Sequence, residues 1–175
     1  MTEVSINKTM HLSEYFTLGE VTKSKHAEIY NIPSHVAIEN LKRVCVWLEE
    51  LRRRYNLRYV CTPSDHPTHT GTPPNLGGEI DTSEAPIIIT SGYRSPELNR
   101  KVGGSPTSNH LTGCAVDIRV AGIEQAMRYA VILMDYADET KQDYDEIIIE
   151  KNCRGAIWLH FAVRPKDNRR KTMFL

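Results

Sequence analysis

Two histidines and a carboxylate on one face of a small sheet are enough to hold a catalytic metal, and the second half of this 175-residue chain offers such a set. In Cys114 to Arg119, strand alternation puts Cys114, Val116 and Ile118 on one face and Ala115, Asp117 and Arg119 on the other. In Ile157 to Val163 the residues Ile157, Leu159, Phe161 and Val163 oppose Trp158, His160 and Ala162. Tyr144 to Glu150 sets Ile147 and Ile149 against Ile148 and Glu150. Asp117, Glu150 and His160 can therefore rise from one face of a shared sheet. His110 stands seven positions before Asp117, and a turn at Gly113 would bring its ring toward that carboxylate. Two imidazoles and one carboxylate make up the three protein ligands of a catalytic Zn²⁺, with the fourth position left to water. Glu150 beside them would supply a base. Spacing alone leaves a plainer reading open, in which His160 is a core histidine with satisfied hydrogen bonds and the His110 to Asp117 interval is chance.

Such a site needs elements to carry it. Thr17-Leu18-Gly19-Glu20 has the form of a capping box and predicts a short helix. After Pro33-Ser34, the residues Ala37, Ile38, Leu41, Val44, Cys45, Leu48 and Leu51 recur at three- and four-residue steps, which predicts a long amphipathic helix. The run Arg52-Arg53-Arg54 reads as the solvated end of that helix, complementing its dipole. A further helix is expected from Ile123 to Ala137, with Ile123, Met127, Ala130, Val131 and Met134 on one side. Strands are expected at Pro86 to Thr90, Cys114 to Val120, Tyr144 to Glu150 and Ala156 to Val163, with Ser95 to Ser108 as a connection. The fold class is α+β, N-terminal helices packed on a mostly antiparallel sheet. Residues 61–86, rich in Pro, Gly, Thr and Ser, read as a long surface excursion carrying His66 and His69 in a loop, or as a lid over the site.

Composition narrows the partners. Lys and Arg number 22 against 22 Asp and Glu, so the bulk attraction on which non-specific nucleic-acid or anionic-membrane binding relies is missing. Hydrophobic residues make up 40% and charged residues 25%, as in one soluble domain spanning residues 1–175. No run approaches the roughly 20 apolar residues of a membrane span, and Met1 to Met10 does not read as a signal peptide. The expected location is cytoplasmic, or outside by a route that needs no signal peptide. Cys45, Cys61, Cys114 and Cys153 are widely spaced and read as free thiols, Cys114 as a core residue. No nucleophile-elbow pattern supports a serine or cysteine hydrolase.

Four motifs in order carry a family likeness. The run Ser91-Gly92-Tyr93-Arg94-Ser95, the pattern Ser108-x-His110-x-x-Gly113-x-Ala115-x-Asp117, the segment Asp145-Glu146-Ile147-Ile148-Ile149-Glu150 and the triplet Trp158-Leu159-His160 resemble the zinc D-alanyl-D-alanine carboxypeptidase family. That family includes vancomycin-resistance dipeptidases and phage L-alanyl-D-glutamate endolysins. Leu12-Ser13-Glu14-Tyr15-Phe16-Thr17-Leu18 and Asn168-Arg169-Arg170 are similar to its phage- and bacteroidete-type branch. The resemblance implies the hedgehog/DD-peptidase fold and one Zn²⁺ per chain on His110, Asp117 and His160. It also implies Glu150 as catalytic base, Arg94 binding substrate or the charge of the intermediate, and a peptidoglycan stem peptide or muropeptide as substrate. Ser108 and Trp158 join Arg94 as substrate-binding candidates, although Ser108 also suits a turn and Trp158 the core. Tyr93 either reaches the site or anchors its strand.

Two departures bear on these roles. Many members place the base three residues before the last ligand, where this chain has Ile157; the hedgehog signalling domain instead has a Glu closing the preceding strand, which Glu150 matches, with Asp145 as the next candidate. The 61–86 excursion is longer than the family's usual connection, which leaves the size of the substrate open. Arg94 as a carboxylate clamp implies an exopeptidase, whereas Arg94 at the oxyanion leaves internal cleavage open. The competing reading is a catalytically silent, zinc-stabilised binding module on the same fold, against which the presence of Glu150 argues.

Overall fold

A hydroxyl starts each of the first two helices. The computed structural model describes residues 7–60 and 85–175; all but the last two positions of the 61–86 excursion, His66 and His69 among them, lie outside the described residues. Thr17 caps α1 (Leu18–Val21) in a full capping box with Glu20, and the Ser34 hydroxyl accepts from the Ala37 N–H at the start of α2 (His35–Tyr59). The stripe Leu41, Val44, Cys45, Leu48 and Leu51 is fully buried, and Trp47 joins it against Phe161 and Tyr136. Because α2 runs on to Tyr59, Arg52 to Arg54 lie inside the helix rather than at its end. Arg53 and Arg54 pair with Glu50, and Arg54 also reaches Glu139 at 2.6 Å.

The sheet contains β1 (Ile89–Ser91), β2 (Ala115–Arg119), β3 (Glu146–Lys151), β4 (Ile157–Ala162) and β5 (Lys171–Phe174), in the order β1-β2-β4-β3-β5. All neighbours are antiparallel except β3 and β5, so the α+β class and the mostly antiparallel sheet stand. One face of the sheet, bearing Val116, Ile118, Ile147, Ile149, Leu159 and Phe161, closes over α2 and α4 (Ile123–Thr140). The other face is left for the site.

Three details differ from expectation. β1 begins only at Ile89, although the Ile88 carbonyl already accepts from the Arg119 N–H at 2.9 Å, and its register breaks between Ile89 and Ser91. On α4 the buried residues are Ala126, Tyr129, Ala130, Ile132, Leu133 and Ala137, whereas Ile123, Met127 and Val131 of the expected stripe are exposed. The helix is apolar on two sides, and only one meets the core. Finally, α3 (Pro96–Lys101) and β5 were not expected. α3 follows Ser95, which caps it, with Pro96 at the first helical position, where the missing N–H costs nothing. Among the described residues no helix is long and apolar enough to cross a membrane, and Cys45, Cys114 and Cys153 are free.

Candidate metal centre and cleft

His110 is delivered by a 3-10 helix (Asn109–Thr112) that Ser108 caps, the Ser108 hydroxyl accepting from the His110 N–H at 3.3 Å. Gly113 ends this turn in the left-handed region, at φ 72°, and a Cβ there would lie 2.4 Å from the Ala37 carbonyl oxygen of α2. Only glycine fits both demands. Gly113→Ala is accordingly expected to cost about 1–3 kcal/mol of stability in urea unfolding, from strain and clash together.

The other two members come from the sheet. Asp117 on β2 stands opposite His160 on β4, as alternation predicts. His110, Asp117 and His160 are all buried, and one potential ligand atom from each lies within 4.8 Å of the others. The Asp117 Oδ1 is the meeting point, 3.2 Å from His110 Nε2 and 2.9 Å from His160 Nδ1. His110 Nδ1 is 2.6 Å from the Gly92 carbonyl oxygen, to which it donates, so the Nε2 lone pair is turned toward Asp117. Arg94, whose Nε donates to the Ser91 hydroxyl at 2.8 Å, takes the second oxygen of Asp117. Buried imidazole nitrogens and one carboxylate oxygen, with an outer hydrogen bond fixing a tautomer, are a donor set that suits Zn²⁺.

Charge follows from this packing. Burial alone would raise the pKa of Asp117, but the adjoining His110 and His160 hold it well below the ordinary carboxylate range. Burial would lower that of His160, yet hydrogen bonds to Asp117 and Glu146 raise it to about 9. A proton and a metal ion therefore compete for the same imidazole.

Around the triad lies an open cleft of about 630 Å³. Arg94, Ser108, Glu150 and Trp158 line it together with the triad, so the structure brings all seven residues singled out from sequence to one place. Tyr93 does not join them; it packs in the core and anchors its strand through its N–H to the Val21 carbonyl. Asp145, the second candidate base, is fully buried and bonded to Arg164, Arg169 and Asn109. The residue that sequence reasoning missed is Glu146. It shares the site face with Ile148 and Glu150, and its carboxylate lies 3.5 Å from His160 Nε2. The signal was available, since alternation that exposes Ile148 and Glu150 to the site exposes Glu146 too. Its pKa is lowered to about 2, first by His160, and it also engages Asn109, Arg169 and Lys171. A base so firmly held as carboxylate accepts protons poorly at neutral pH. The Glu150 side chain, on the strand residue opposite Trp158, makes no hydrogen bond or ion pair among the described residues.

Beside this geometry stands one finding from known proteins. A family model described as Peptidase M15 matches residues 76–145. The matched stretch contains Arg94, Ser108, His110 and Asp117, and it ends just before β3. Comparison with the curated proteins gives no match.

Proposed function

We propose that this chain is a zinc enzyme hydrolysing an amide bond in peptidoglycan stem peptides, a reading supported by the match of residues 76–145 to the model of the peptidase M15 family, a family of metallopeptidases. The observation that carries the reading is the convergence of His110, Asp117 and His160 on the floor of a cleft that also holds Glu150 and Arg94. Zn²⁺ on those three residues would supply a Lewis acid for the scissile carbonyl and bring the pKa of a water to about 7.

The chain's own residues do the rest. Glu150 takes a proton from the water that adds to the carbonyl carbon, and returns it to the leaving nitrogen as the C–N bond breaks. Products are one carboxylate and one amine. Arg94 holds Asp117 by one oxygen and so keeps the other turned to the two imidazoles. Its Nη1, without a partner among the described residues, is left to meet a substrate carboxylate or the oxyanion. Trp158 gives the cleft an apolar wall beside Glu150.

The test is digestion of muropeptides read by mass spectrometry, with metal content measured on the same samples. Glu150→Gln is expected to keep about one zinc per chain and to lose roughly 10²- to 10⁴-fold in kcat, the range for a positioned acid–base group. Full activity in that variant would remove Glu150 from the reaction. Zinc without cleavage in the wild type would turn the reading toward a binding module.

A further inference from the structure

One end of the cleft holds more positive charge than its own ion pairs consume. Asp145 and Glu146 are met by Arg164, Arg169 and Lys171, two carboxylates against three cations. The buried Asp145 takes Arg164 at 2.8 Å and Arg169 at 2.6 Å. Glu146 is left to the same Arg169 at 3.0 Å and to Lys171 at 3.4 Å, longer than the roughly 2.7–2.9 Å of a charge-assisted hydrogen bond. Lys171 is thus the least engaged of the three. Its side chain is 41% exposed, and it lines the cleft. Asp117 cannot absorb the surplus, because Arg94 and the two histidines already surround it.

Register places this charge relative to the triad. Lys171 on β5 faces Glu146 on β3, while His160 on β4 faces Ile148, two residues further along β3. Glu146 bridges the two, one oxygen 3.5 Å from His160 Nε2 and the other 3.4 Å from Lys171 Nζ, so the ammonium lies within about 9 Å of the triad. An extended peptide advances about 3.3–3.6 Å per residue, so the group that reaches Lys171 is two or three residues from the bond at the metal centre. A terminal carboxylate on the reacting residue would fall to Arg94 instead.

We propose that Lys171, backed by Arg169, is an anion subsite that selects stem-type peptides carrying a free carboxylate two or three residues from the scissile bond. The inference rests on the peptidase reading and adds the substrate class to it. Lys171 acts as a specificity residue, outside the chemical step.

The test uses two synthetic peptides with D-amino acids, identical except that this carboxylate is free in one and amidated in the other. In the wild type, kcat/KM is expected to favour the free acid by about tenfold, as for one hydrogen bond to a charged group. The ratio falls toward one in Lys171→Met, survives in Lys171→Arg, and shrinks with added salt. Because each variant is compared with itself, partial unfolding cannot mimic the effect. A ratio near one in the wild type, or an undiminished ratio in Lys171→Met, overturns the subsite. Calorimetric binding of both peptides to Glu150→Gln separates the two claims. Preferred binding of the acid without cleavage by the wild type upholds the subsite and sinks the peptidase; equal cleavage of both peptides does the reverse.

Discussion

The His110→Ala protein is expected to bind no zinc and to cut no stem peptide while retaining its sheet and helices. His110 is held for this one purpose by its surroundings. The Gly92 carbonyl takes its Nδ1, the Ser108 cap and Gly113 fix the turn that carries it, and the ring is almost wholly buried at 2% exposure. Loss of a mere outer hydrogen bond to a metal ligand costs about 10- to 100-fold in affinity, so loss of the ligand itself must exceed that. Elemental analysis beside muropeptide digestion gives both readouts, and circular dichroism shows whether the fold survives. One zinc per chain retained in His110→Ala would take this residue out of the ligand set and leave the centre to be built some other way.

Asp145→Asn is expected to unfold the protein more easily by about 3 kcal/mol, near the lower end for breaking a buried ionic network. The Asp145 side chain is fully buried and accepts from Arg169 at 2.9 and 2.6 Å and from Asn109 at 2.7 Å, with Arg164 at 2.8 Å. An amide in its place turns an N–H toward donors, leaves Arg164 without its carboxylate and leaves Arg169 to Glu146 alone. Burial pushes the carboxyl of Asp145 up, but Arg169 and Asn109 more than reverse this, so its pKa in the folded protein is depressed. The sign follows. Stability from this group is present above the unfolded value of about 3.9 and is lost as pH falls through the lower folded value. Urea midpoints at pH 7 and pH 3 should therefore show a gap between wild type and variant that narrows in acid. A gap independent of pH would assign the loss to packing instead of charge.

Much of this architecture is written in local pattern. The apolar steps of α2 and the two-residue alternation of β2 and β4 each state which face is buried, and the pairing of Asp117 with His160 follows from that alternation alone. What escaped was determined by neighbours. β5 is four residues, Lys171–Phe174, on an edge beyond a charged run, and it becomes a strand because β3 offers it a parallel partner. The same holds for α4, where two apolar sides compete and only the sheet decides which is covered. Glu146 was hidden by a different cause. Alternation alone puts it on the site face near His160, but the approach of Asn109 from the 3-10 helix and of Lys171 from β5 leaves no mark on the Glu146 segment itself.

The floor beneath His110 also reaches the other way, to the first helix. A Cβ on Gly92 would sit 2.1 Å from the Val21 carbonyl oxygen, the Tyr93 N–H donates to that oxygen at 2.7 Å, and Asn31 clasps the Tyr93 carbonyl and the Ser95 N–H. The backbone that aims the imidazole is thus bolted to residues some 60 to 70 positions upstream of Gly92. At the far end, Glu150 and His160 sit beyond position 145, where the match to the family model stops. A fragment limited to residues 76–145 would carry His110 and Asp117 with the turn that aims the imidazole, but neither His160 nor the Val21 and Asn31 groups that brace Gly92 and Tyr93.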